Sequence, residues 1–286
     1  MTAPTPFAVD VPGGRLYGEA AGAGPAVVLL HGFGCDMSMW DPQFEEFARR
    51  HRTVRYDMRG FGESAPPVAG ADHVADLLAV LDALDVARAH LVGLSLGGNL
   101  GLAAAVEAPD RVASLVLCSP GLPGHRWTTP RPPDEAAAVA RRDGIAAAKD
   151  FWLSHKLFEP TRAHPTAYRA LASMVERFAG APWRDGAAVE PLPPVADRLG
   201  AVAATTLVVN GEQDLPGYRE IGEIVHRGVP RAERREVSGA GHFVSLEQPT
   251  AFNRLADRFL DRVDRSPTTD RHHRSGPTAA SDRARS

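Results

Sequence analysis

A chain of 286 residues, 44% hydrophobic and 23% charged, has material for one large core and the charge content of an ordinary globular protein. Its formal net charge of -3 gives no basic field to draw in nucleic acid or an anionic membrane surface. Two cysteines, Cys35 and Cys118, are too few for a disulfide framework or a zinc cluster and read as buried thiols.

The opening "MTAPTPFAVDVPGG" has neither the basic nor the apolar region of a secretory signal. No apolar run reaches the ~18–20 residues of a spanning helix. A cytoplasmic protein without membrane contact is therefore expected.

"FAVDV" and "RLYGEA" flank Pro12-Gly13-Gly14 and predict an opening hairpin. "PAVVLL" (Pro25 to Leu30) is continuously apolar, as buried parallel strands are. Ser38 to Arg50 is amphipathic, with Trp40, Phe44 and Phe47 near helical spacing. "TVRYD" is the next strand. Asp72 then caps a predicted helix carrying Val74, Leu77, Leu78, Leu81 and Leu84 on one stripe.

"AHLVGLS" predicts a central strand, "LGGNLGLAAAVEA" a buried helix of small residues, and "VASLVLCS" a further strand. After a long interruption come "TTLVVN", a helix around Tyr218 to Arg227, the strand "ERREV" and a closing helix from Thr250 to Val263. This alternation predicts an α/β fold with a mostly parallel, doubly wound sheet.

From Gly121 to about Gly200 strand signals are absent, and helices are predicted over Asp134 to His155 and Pro165 to Phe178. The expected organisation is a core of residues 1–120 and 205–263, a helical lid over 121–204, and a disordered tail over 264–286. A lid in this place covers the C-terminal ends of the strands, where open α/β sheets bind ligands. Trp127, Trp152 and Trp183 lie in it; each either lines the ligand site or fastens the insertion.

Gly93-Leu94-Ser95-Leu96-Gly97 fits G-x-S-x-G, with a strand before it and a helix after. At so sharp a turn the serine takes strained backbone angles, and glycine two residues either side removes a collision. A hydroxyl needs a base to take its proton and a third group to orient that base. His242, in the small-residue loop of "VSGAGHFVSLEQP", is the candidate base. Asp214, past the apolar run of "TTLVVNGEQDLP", is the candidate acid, with Glu212 as its competitor. The order serine, aspartate, histidine suits this fold. The backbone amides of Leu96 and of Phe33 in "HGFGCD" are expected to hold the oxyanion, with His31 fixing that loop.

"LLHGFGCDMSMWDPQFEEFARRHRTVRYDMRGFGESAPP", "HLVGLSLGGNLGLAAAVEAPDRVASLVLCSP" and "GAGHFVSLEQP" closely resemble the α/β-hydrolase superfamily. They look most like small bacterial esterases and lactonases of the 3-oxoadipate enol-lactonase type. The resemblance covers Gly14 to Gly121 and Thr205 to Val263. It implies hydrolase chemistry at Ser95, Asp214 and His242 with no cofactor and no metal. It also implies scaffold roles for Asp57, Arg59 and Ser64 in "DMRGFGES". Relatives that use a carboxylate nucleophile do not match "GLSLGG".

The expected activity is cleavage of a small carboxylic ester or lactone through an acyl-enzyme on Ser95, with water as the second substrate. Carbon–carbon bond hydrolysis and haloperoxidase-type perhydrolysis use the same triad and remain open. So does a non-catalytic small-molecule-binding protein on this fold. Trp127, Trp152 and Phe243 are candidate substrate contacts. Arg126, Arg131, His155, Lys156 and Arg162 either recognise a substrate carboxylate or belong to solvated surface.

Overall fold

A computed structural model of the chain describes residues 3–184 and 191–266. The strands are β1 (Thr5–Val11), β2 (Gly14–Ala21), β3 (Ala26–Leu30), β4 (Arg52–Tyr56), β5 (Ala89–Leu94), β6 (Val112–Cys118), β7 (Thr205–Gly211) and β8 (Ala232–Val237). They form one eight-stranded sheet in the order β1-β2-β4-β3-β5-β6-β7-β8. The β1–β2 hairpin joins β4 antiparallel, and every pairing from β4 to β8 is parallel.

The helices are α1 (Asp41–Phe47), α2 (His73–Ala83), α3 (Leu96–Glu107), α4 (Pro132–Asp143), α5 (Ile145–Ser154), α6 (Glu159–Arg162), α7 (Pro165–Arg177), α8 (Ala181–Arg184), α9 (Pro216–Gly228), α10 (Val244–Glu247) and α11 (Pro249–Arg265). This is the expected α/β fold. All six residues of β5 are buried, which explains why its sequence is continuously apolar instead of alternating. Asp72 caps α2, its carboxylate accepting from the Val74 amide at 2.7 Å.

From β3 the chain moves to β4 on one side, then returns to β5 on the other. The loops leaving β3 and β5 therefore diverge, and a crevice opens between the C-terminal ends of these neighbours. The "HGFG" loop follows β3, and Ser95 follows β5.

Three expectations need adjustment. The stretch from Ser38 to Arg50 is not one helix: a 3-10 turn covers Met37–Trp40, and α1 starts at Asp41. Pro42 sits in the first turn of α1, where its missing N–H costs nothing. The predicted helix over Asp134 to His155 breaks at Gly144, whose φ of 91° ends α4 and starts α5.

The third concerns the chain end. The tail does not begin at Asp264, because α11 runs through Arg265. The Asp264 carboxylate meets His90 Nε2 at 3.0 Å and His51 Nε2 at 3.2 Å, which docks the last turn of the helix on the sheet. Residues 267–286 lie outside the described residues, and His272 and His273 with them.

Between β6 and β7 the described residues are helical or irregular. Among the described residues no helix is long and apolar enough to cross a membrane.

Candidate active site

Ser95 joins the buried β5 to α3 at φ 51° and ψ -105°, in the strained region a non-glycine residue avoids. Its amide donates to the Cys118 carbonyl at 3.0 Å, and its carbonyl accepts from the Asn99 amide at 2.9 Å. The turn is so tight that a Cβ on Gly93 would strike the backbone of Gly97. A Cβ on Gly97 would strike the Leu30 carbonyl of β3. Glycine is thus required on both sides of the serine, and the N-terminus of α3 points at the crevice.

The loop after β3 is fixed by His31. Its Nδ1–H donates to the Gly32 carbonyl at 2.9 Å, and its Nε2 accepts from the Met58 amide at 2.9 Å. Burial pushes the His31 imidazole below its ordinary pKa, in keeping with this neutral tautomer. Asp57 ties the neighbouring loops together, accepting from the amides of Met37 at 2.7 Å and Glu63 at 2.9 Å. Ser64 donates to the Asp57 carbonyl at 2.6 Å, and Arg59 forms a bidentate pair with Asp76, both contacts at 2.8 Å.

The amides of Phe33 and Leu96 donate to no protein acceptor among the described residues. Two unspent donors therefore flank the serine.

Asp214 and His242 come from the loops after β7 and β8. His242 Nδ1 lies 3.1 Å from both carboxylate oxygens of Asp214, and both side chains are nearly inaccessible. Asp214 also accepts from the Leu215 amide at 2.8 Å, which fixes the carboxylate. The proton on Nδ1 leaves the Nε2 lone pair free. Glu212 is spent elsewhere, accepting from the Gly239 amide at 3.2 Å.

Among the described residues the His242 side chain hydrogen-bonds only to Asp214, and Ser95 shares the cavity beside it. Contacts between nucleophile and base commonly tighten only when substrate is bound.

That cavity is lined by Phe33, Leu94, Ser95, Pro133, Trp152, Leu157, Tyr218, His242 and Phe243. The free space for a water centre is about 10 Å³, room for roughly one molecule. Pro133 of α4, Trp152 of α5 and Leu157 form its roof. Of the candidate substrate contacts, Trp152 and Phe243 line the cavity. Trp127 does not; its ring packs edge-on against Tyr218 at 5.1 Å.

None of the five basic candidates lines the cavity. Arg131 is paired with Asp134, with both contacts at 2.7 Å. His155 meets Glu135 at 3.1 Å, and Arg162 donates to the Leu153 carbonyl at 3.0 Å. Among the described residues no group of three or more His, Cys, Asp or Glu could hold a metal ion. Cys35 and Cys118 are buried free thiols, and burial pushes both pKa values up.

Two residues at the site carry no signal in the motifs. Tyr218, five per cent exposed, lays its ring against the His242 imidazole, centroids 4.2 Å apart. Glu247 accepts from the Thr161 hydroxyl at 2.6 Å, from the Phe243 amide at 3.3 Å and from the Gly241 amide. The buried carboxylate therefore holds both residues that flank His242. A glutamate five residues after a histidine was visible in "GHFVSLEQP", but its partners were not.

A family model described as the alpha/beta hydrolase fold matches residues 25–249. The chain is 30% identical over 268 residues to a 2-hydroxy-6-oxononadienedioate/2-hydroxy-6-oxononatrienedioate hydrolase of Cupriavidus pinatubonensis, covering 86% of this chain and 90% of that one. A thermophilic esterase from Thermogutta terrifontis superposes with a TM-score of 0.77 at 28% identity, covering 91% of this chain and 99% of the esterase. Est816, an N-acyl homoserine lactone-degrading enzyme, superposes with a TM-score of 0.75 at 32% identity, covering 88% of this chain and all (100%) of that one.

Proposed function

Since the chain belongs to the alpha/beta-hydrolase family and is similar to an esterase and a lactone-degrading enzyme, we propose that it cleaves a small, uncharged carboxylic ester or lactone through an acyl-enzyme on Ser95. One observation carries the reading: a strained serine shares a mostly apolar cavity with a histidine whose other nitrogen is held by a buried aspartate.

In the proposed cycle His242 Nε2 takes the Ser95 proton as Oγ attacks the carbonyl carbon. Asp214 holds the imidazole in the tautomer this needs and stabilises the imidazolium that forms. The amides of Phe33 and Leu96 receive the oxyanion. The tetrahedral intermediate collapses, the C–O bond breaks, and His242 gives the proton to the leaving oxygen. Water, activated by the same base, releases the acid. No step calls on a cofactor or a metal.

The cavity lining argues for an uncharged substrate. A buried carboxylate would need a cation, and among the described residues no Lys or Arg lines the cavity. The dioate named for the Cupriavidus relative, and a substrate of the enol-lactone type, both carry carboxylates. The same observation therefore disfavours them. Carbon–carbon cleavage of an uncharged diketone, perhydrolysis and simple ligand binding keep lower standing, because nothing in the cavity selects them.

The test pairs a fluorophosphonate probe with short-chain esters. The expected result is labelling of Ser95 and turnover of neutral esters, both lost in Ser95→Ala. Full turnover by Ser95→Ala, or a folded wild type that neither labels nor turns over esters, would overturn the proposal.

A further inference from the structure

Tyr218 occupies a place that the Ser–His–Asp arrangement leaves unassigned. It stands four residues after Asp214, in the first turn of α9, which Pro216 starts. Its backbone is fixed at both ends: its amide donates to the Leu215 carbonyl at 3.0 Å, and its carbonyl accepts from Asn210 Nδ2 at 3.3 Å. The phenol ring is clamped between Trp127, edge-on at 5.1 Å, and the His242 imidazole at 4.2 Å. Gly217 makes room for this clamp, since a Cβ there would come within 3.0 Å of the Trp127 ring.

Clamped in this way, Tyr218 lines the same cavity as Ser95 and His242. Burial pushes the phenol pKa up and the Asp214 charge adds to the shift, while the Ser95 hydroxyl opposes it. The group stays protonated at neutral pH and is a hydrogen-bond donor.

We infer that Tyr218 is a further catalytic residue, whose hydroxyl donates a hydrogen bond to the leaving-group oxygen as the tetrahedral intermediate collapses. The inference rests on the acyl-enzyme reading above. Position decides the role. The two amide donors belong to the ends of β3 and β5, whereas Tyr218 comes from beyond β7 and packs its ring, tilted, against the imidazole. Tyr218 therefore stands on the histidine side of the cavity, from which the proton is delivered.

The balance is simple. The C–O bond breaks and its electron pair stays on the leaving oxygen. The proton that Ser95 gave to His242 passes to that oxygen. Tyr218 shares its proton in a hydrogen bond while the charge develops and keeps it afterwards, so no further reactant is needed.

The test is Tyr218→Phe, which keeps the ring and its clamp. Two esters of one short acyl group are compared: an alkyl ester, whose leaving oxygen needs a proton, and a p-nitrophenyl ester, whose leaving anion is stable without one. The expected result is a fall in kcat/KM on the alkyl ester of about 10- to 100-fold, the scale of losing one hydrogen bond to a charged group. The p-nitrophenyl ester falls by less than about threefold, and melting temperature and the rate of fluorophosphonate labelling are unchanged.

Equal losses on the two esters, no loss on either, or slowed labelling would overturn the assignment while leaving the acyl-enzyme reading intact. A wild type inactive on both esters and unlabelled would overturn that reading, and this assignment with it.

Discussion

Thr161 and Glu247, 86 residues apart in sequence, meet in a buried hydrogen bond of 2.6 Å. The contact links helix α6 of the insertion to the loop that carries His242, because the same carboxylate also accepts from the amides of Gly241 and Phe243. Histidine position and the seating of α6 are thus set by one side chain.

Glu247→Ala strands three buried donors, each costing roughly 1–3 kcal/mol before relaxation. The expected loss is about 2–4 kcal/mol in urea unfolding, accompanied by a fall in kcat. Glu247→Gln, which keeps an acceptor, loses less on both measures. An alanine variant with wild-type midpoint and turnover would show that the loop holds itself.

Asp214 holds the Nδ1 proton of His242 with both oxygens at 3.1 Å. Asp214→Asn preserves shape but permits the wrong tautomer. Turnover of esters should fall by a factor on the order of 10⁴, with a melting temperature close to wild type. Steady-state kinetics beside a thermal scan separate this from simple unfolding.

Arg59 and Asp76 form a bidentate pair whose side chains are 0% and 5% exposed. Asp76→Asn leaves the guanidinium buried without its counter-charge, for an expected cost of about 3–5 kcal/mol. The double variant Arg59→Met with Asp76→Leu should cost less than Asp76→Asn alone. Chemical denaturation of the three proteins measures the difference.

Stability should decline on the acid side. Burial pushes His73 down to about 4, against the opposing charge of Asp76. Burial likewise lowers His90, against the pull of Asp264. A histidine whose folded pKa lies below its unfolded value of about 6.5 binds its proton more readily when unfolded. Its contribution is complete above pH 6.5 and is lost as the pH falls from there toward about 4. Melting temperature against pH should therefore slope downward in that window, less steeply in His73→Asn; a slope parallel to wild type would remove His73 from the account.

The sheet was readable because buried parallel strands leave continuous apolar runs, and "PAVVLL", "AHLVGL" and "VASLVLC" each became a strand within a residue or two. The elbow was readable because its geometry admits only glycine at Gly93 and Gly97. What periodicity cannot convey is which side chain meets which across elements. Glu247 reads as a surface glutamate until Thr161 and two amides surround it. Tyr218 reads as one more apolar helix residue until Trp127 and His242 clamp it. Asp264 sits in a polar stretch that looks unstructured, yet two buried histidines, His90 of β5 and His51 just before β4, hold it. The break at Gly144 was missed because alanine-rich segments on both sides favour one long helix.

The roof of Pro133, Trp152 and Leu157 leaves room for roughly one water. An acyl group needs more room than this, so where those residues must shift to admit it only the open fraction of molecules binds. Measured affinity is then the intrinsic affinity scaled by that fraction. Substrate preference in this enzyme is accordingly written partly in a conformational equilibrium, and substitutions around Gly144 that never touch a substrate should reorder it.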